Sequence, residues 1–367
     1  MAGAQRWTEL KRLIHAEIIR LTTFNASDRR WPMPFAAALS SGLPLLVGTY
    51  FGHMDYGLIS SLGGLVFLYL PETPMHHRMV TLMACAFAMI ASYALGVISH
   101  LYPPAMTLAL SFTAILVTMA CRYYNMAPPG SFFFIMAATI GANAPGDLMA
   151  VPLKVGLLAM GCLLACLIAF CYSLIVLRRQ PPVPIAPRPA PTFDFVIFDA
   201  IVIGAFVGLS LAIAQLLRLD QAYWVTISCL AVIQGMSLRA VWDKQLQRIL
   251  GTGAGLLLAW GLLLLPLNAW SIALVMIVLA FLIETLVVRH YALATIFITP
   301  LTILLVEAAT LGQMPAATLI AARFWDTVLG CLIGLLGGIC LHSPRFRAVL
   351  GRQIRRLIPS RLVGKAL

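Results

Sequence analysis

The chain is short of charge. Only 10% of its 367 residues are charged, against about 25% in a soluble globular domain. Acidic residues are scarcest, 13 against 25 lysines and arginines. With 61% hydrophobic residues and a mean hydropathy of +0.94, the shortage excludes a water-soluble domain and points to a chain that lives in lipid. Catalytic signatures are missing too. There is no GxSxG, no HExxH and no loop long enough for a soluble catalytic domain, so no enzyme and no cofactor are expected. Gly251-Thr-Gly-Ala-Gly255 has no following Lys-Ser/Thr and is read as helix packing, not a phosphate loop. No cysteine pair has CxxC spacing. Cys85, Cys121, Cys162, Cys166, Cys171, Cys229, Cys331 and Cys340 all fall in or beside apolar segments, which argues for packing over disulfides or zinc. His76, His77 and Glu72 share a loop but are read as solvated, not metal-ligating. The N-terminus lacks the apolar core and small-residue cleavage site of a signal peptide. The net charge of +12 is spread through short loops and tails, which excludes a nucleic-acid partner.

What is present is a series of apolar segments of membrane-crossing length. About twelve are predicted, at 34–51, 56–71, 79–99, 104–121, 131–146 and 151–177, then at 195–217, 222–237, 249–266, 268–288, 291–308 and 318–341. Basic residues set the orientation. Arg78, Arg122, Arg178, Arg179, Arg188, Arg239, Lys244, Arg248 and Arg289 fall on one side with both tails, while the opposite loops hold only Arg218. The expectation is an all-α polytopic protein with both termini cytoplasmic. Residues 1–33 form a basic amphipathic segment, with Trp7, Leu10, Ile14, Ile18 and Leu21 at helical spacing beside Arg6, Lys11, Arg12 and Arg20. Residues 34–177 form a first six-helix membrane repeat. A stiff proline-rich cytoplasmic linker follows at 178–194, then a second six-helix repeat at 195–341 and a basic cytoplasmic tail at 342–367.

Three anchors suggest that the halves are parallel repeats. Six residues separate Lys154 from Gly161-Cys-Leu, and six separate Arg323 from Gly330-Cys-Leu. Tyr56 and Ser61 match Tyr223 and Ser228, and Arg78-Met-Val matches Arg248-Ile-Leu. A cation inside a membrane costs about 2.5–3.5 kcal/mol at a helix centre, so one at a matching place in each half is a candidate for function. Lys154 and Arg323 are therefore read as the substrate-binding cations, with Tyr223 and Trp224 as aromatic neighbours able to stack on a ring. Asp326, three residues from Arg323 on the same helix face, is placed to pair with it. Asp326, Glu284 and Glu307 are the candidates for carrying a coupling proton. The competing reading is a set of static pairs that pin helices, with Tyr223 and Trp224 as interface-belt aromatics.

The stretch from Ala222 to Trp260, AYWVTISCLAVIQGMSLRAVWDKQLQRILGTGAGLLLAW, resembles the fusaric acid resistance and aromatic acid exporter superfamily of bacterial inner-membrane proteins. Tyr223-Trp224 opening a span, Gln234 with Ser237 near its end, and Gln247-Arg248-Ile-Leu-Gly251-Thr252 opening the next carry the resemblance, with Arg323, Asp326-Thr327 and Gly330 in the last span. The resemblance implies a multi-pass exporter of small organic anions, aromatic carboxylates above all, driven by the proton motive force. It also implies a distant relation to malate-type anion channels. The partners that follow are the anion, the lipid bilayer, a periplasmic adaptor protein and further copies of the chain. The first half departs from the pattern, with Gly57 opposite Trp224. The rival readings are a passive anion channel, another twelve-span carrier and a non-transporting scaffold.

Overall fold

The computed structural model describes residues 23–26, 29–185, 187, 190–310 and 315–357. Most of the amphipathic segment expected at 1–33 and the last ten residues of the tail lie outside these. Among the described residues every regular element is helical. The first half holds α1 (Pro32–Tyr50), α2 (Met54–Gly64, continued by a 3-10 turn Leu65–Tyr69), α3 (Met75–His100), α4 (Pro103–Tyr123), α5 (Phe132–Ala142) and α6 (Ala150–Leu177). The second half opens with a π-helical turn at Asp194–Phe198. It continues with α7 (Asp199–Leu216), α8 (Ala222–Ile233), α9 (Leu238–Leu263), α10 (Ala269–Leu286), α11 (Tyr291–Thr310) and α12 (Ala316–His342). A last helix, α13 (Pro344–Leu357), follows in the tail.

Local chemistry sets several of the ends. Proline stands at the first turn of α1 and α4, where its missing N–H leaves no helical bond unmade. The Ser237 hydroxyl accepts from the Ala240 amide to cap α9, and Asn268 with Ser271 forms a reciprocal cap on α10.

The expectation of about twelve full spans is corrected in part. All twelve apolar segments are helical, but α1, α3, α4, α6, α7, α9, α10 and α12 are the 8 long and apolar enough to cross a membrane. α2, α5 and α8 are shorter apolar helices, whereas α11 runs 20 residues. At 1.5 Å per residue, an 11-residue α5 covers about 16 Å, about half of a hydrocarbon core. Breakers bound these helices: Pro71 after α2, Pro129-Gly130 and Pro145-Gly146 around α5, and Gly235 after α8.

The short helices sit inside and the long ones around them. In the first half α2 packs on α6 and α3 on α5; in the second, α8 packs on α12 and α9 on α11. Glycine permits the tightest of these approaches. A side chain at Gly161 would strike the Ser60 carbonyl, and one at Gly330 the Val225 carbonyl. Gly251 and Gly255 do the same for α9, where an added Cβ would lie 2.6 Å from the Ala292 and Ile296 carbonyls of α11. The halves meet through α4 on α7 and α1 on α10, with the short helices α5 and α2 touching α8 and α11.

Candidate functional site

A cavity of about 1600 Å³ lies between the two halves. α2, α5, α8 and α11 and their neighbours wall it. Leu62, Phe133, Ile227 and Leu301 give it a mostly apolar middle. It reaches Asp220 before α8 and Lys244 beyond the other end of that helix. Its charged lining is Arg29, Arg122, Asp220, Lys244, Arg248, Glu284 and Arg323.

Two of these cations are held by acids across the seams between the halves. Arg122, near the end of α4, pairs with Asp199 at the start of α7, and Asp199 also takes Arg347 Nη1 of α13 at 3.0 Å. Arg29, just before α1, pairs with Glu284 near the end of α10 at 3.6 Å. Both seams thus carry an ion pair, each with its arginine on the first half and its acid on the second.

The other two buried arginines are held differently. Arg323 is 2% exposed, and its guanidinium lies over the Trp224 ring with the carbon 4.9 Å from the centroid. Its Nε and Nη1 have no hydrogen-bond partner. The pairing expected with Asp326 is not made by these atoms, since Asp326 Oδ2 is equally unpartnered. Asp326 turns to a separate outer hollow of about 560 Å³ shared with Arg218, Asp220 and Trp325. The helix spacing is right, but the two side chains leave α12 toward different spaces. Arg248 is 3% exposed; its Nη1 donates to the Tyr291 hydroxyl at 2.9 Å and its Nη2 to Ser228 Oγ at 3.2 Å. Its Nε is unpartnered. Burying a cation against neutral groups alone is costly, so these unfilled donors are what an anion entering the cavity would meet.

The other residues singled out from the sequence fall as follows. Trp224, 1% exposed, packs with Val306 and Leu319 beneath Arg323; it is a wall of the site and not an interface anchor facing lipid. Tyr223 is half-buried beside it with ring centroids 5.6 Å apart, and lines the cavity. Gly251 and Thr252 are buried, and Thr252 Oγ1 has no partner. Lys154 does not join Arg323. Its Nζ donates to the Ala144 and Pro145 carbonyls of the loop before α6, and it is absent from the cavity lining. The side chain reaches only about a turn back, to the end of its own helix. Lys154 therefore lies apart from the cavity that Arg323 lines. The side chain of Glu307, in α11, lies outside the described residues.

The sequence marks Arg248 only as a family-motif residue and gives Arg122 no site role. A span starting at 249 left Arg248 in a loop. In the structure α9 begins at Leu238, so Arg248 stands about 15 Å along the helix. The available signal was Ser237, a capping residue ahead of an amphipathic turn.

Comparison with known proteins follows the second half. Residues 200–337 match the fusaric acid resistance protein-like family. An uncharacterized membrane protein, YvaC of Bacillus subtilis (strain 168), is 29% identical over 139 residues, 37% of this chain and 22% of the relative. The match thus spans about a fifth of that protein. No solved structure matches.

Proposed function

We propose that this multi-pass membrane protein, whose second half is fusaric acid resistance protein-like, exports small organic anions across a bacterial inner membrane. The observation that carries the reading is Arg323, buried, unpartnered at Nε and Nη1, and facing a cavity whose walls are mostly apolar. A guanidinium there favours an anion, and the walls favour a carbon skeleton over a hydrated inorganic ion. Trp224, Tyr223 and Tyr291 supply aromatic surface beside the charge, which makes aromatic carboxylates the substrate class proposed.

In this reading the two halves are parallel six-helix repeats with both termini cytoplasmic, supported by the matching helix contacts in each half. Transport is coupled to protons through Asp326 or Glu284, the acids nearest Arg323 and the opposite mouth. The test is aromatic-carboxylate flux in proteoliposomes, with and without an imposed pH gradient. Gradient-driven flux in the wild type that is lost in Arg323→Gln is the expected result. No flux of any carboxylate overturns the reading.

A specific observation favours a second reading, a passive anion channel. The cavity lining runs from Asp220 to Lys244, at opposite ends of α8, as a continuous pore requires. Single-channel currents insensitive to the pH gradient would decide for it.

A further inference from the structure

Arg248 and Arg323 converge on one turn of one helix. Arg248 of α9 reaches Ser228, and Arg323 of α12 lies over Trp224. Those two α8 residues are four apart, so they lie one above the other on the same face. The convergence is built into the packing, because Gly330 brings the α12 backbone against α8 at Val225 and Ser228. α9 and α12 also pack directly on each other.

No acid compensates them from the cavity side. Glu284 is taken by Arg29, and Asp199 lies on the far side of Arg122. Asp220 is at the cavity's end. Asp326, the acid nearest Arg323, faces the outer hollow and not the cavity. Arg248 has only two neutral hydroxyls, and Arg323 only a ring. Nε of Arg248 and both Nε and Nη1 of Arg323 remain as unfilled donors.

We infer that Arg248 and Arg323 together form a binding site for a dianion: a molecule with two ionised acid groups on an apolar body. The inference rests on the reading of the cavity as an anion path and adds Arg248 as the second ligand-binding residue. A monoanion would leave one buried cation uncompensated, whereas a dianion neutralises both while its body contacts the apolar walls. Tyr291 and Ser228 are positioning residues. They hold two of the Arg248 nitrogens and leave Nε for the ligand.

The experiment compares terephthalate with its monomethyl ester, which has the same ring and one charge fewer, and with benzoate. Binding to the purified full-length protein in nanodiscs is read by tryptophan fluorescence at matched ionic strength, and flux is read in proteoliposomes. In the wild type, terephthalate is expected to bind about tenfold or more tightly than either monoanion. Arg248→Gln and Arg323→Gln are each expected to reduce that preference to about threefold or less. Equal wild-type affinity for terephthalate and its monoester overturns the inference, and this arm needs no variant to fold. So does a terephthalate preference unchanged in Arg248→Gln. If the monoanions bind and move without discrimination, the dianion site fails while the transporter reading stands. If no carboxylate binds or moves, both fail.

Discussion

The two halves place cations at matching points along the chain and use them differently. In the first half, Arg78 in the opening turn of α3 donates to the Thr73 carbonyl at 2.6 Å and to Ser173 Oγ at 3.3 Å. Lys154 donates to carbonyls of the loop before its own helix. Lys154 ties down its own loop, and Arg78 ties the start of α3 to α6. In the second half, Arg248 stands three turns into α9 rather than one turn into α3, and Arg323 lies over a buried tryptophan. The first half has Gly57 where Trp224 stands in the second, and a Cβ on Gly57 would meet the Pro44 carbonyl at 2.8 Å. Helix packing there leaves no room for a ring. The two halves thus differ in where their buried cations go: those of the second half lie deeper, beside neutral groups.

The largest effect tests what the halves share. Gly161→Leu and Gly330→Leu each force a side chain into the backbone of the facing short helix. Each is expected to cost about 3 kcal/mol or more and to leave little folded protein by size-exclusion profile. A tolerant Gly161→Leu beside an intolerant Gly330→Leu would break the equivalence of the two interfaces.

The next test addresses what they do not share. Arg323→Gln is expected to lower anion flux by about a hundredfold, the scale of a lost charge-assisted contact, with the thermal midpoint held or raised. Lys154→Gln is expected to stay within about threefold, as for a partly exposed surface contact. Equal losses in both variants would restore Lys154 to the transport path.

The seams between the halves offer a smaller contrast. Asp199 holds two arginines, Arg122 and Arg347, in a buried setting. Asp199→Asn leaves them short of their acid, and thermal denaturation is expected to show a loss of about 3 kcal/mol. Glu284 holds one arginine, which is 31% exposed, at 3.6 Å. Glu284→Gln is expected to cost about 1 kcal/mol or less by the same assay. Equal costs would mean that the seams are mechanically alike despite their different partners.

Much of the fold was legible in the sequence because lipid imposes a simple demand. A backbone in hydrocarbon must satisfy its own hydrogen bonds, so each long apolar run reads as a helix whatever it packs against. The site was legible only in part. Arg323 could be found, since a lone cation deep in an apolar run stands out. The same rule selected Lys154, whose nitrogen turns back to the Ala144 and Pro145 carbonyls. Linear spacing does not say which way a long, flexible side chain leaves its helix. Asp326 misled for a related reason. Spacing of three permits a pair with Arg323, but the cavity and the outer hollow draw the two apart.

Composition and hydropathy by themselves determined that this chain is a helical membrane protein with apolar segments in two comparable sets. Those properties follow from local physics: apolar length, charge avoidance and the positions of proline and glycine. Only the tertiary structure decided that the short helices wall a cavity, that Arg248 joins Arg323 on one turn of α8, and that Lys154 stands apart. These depend on how helices far apart in sequence meet, and on which buried charges find an acid when they do.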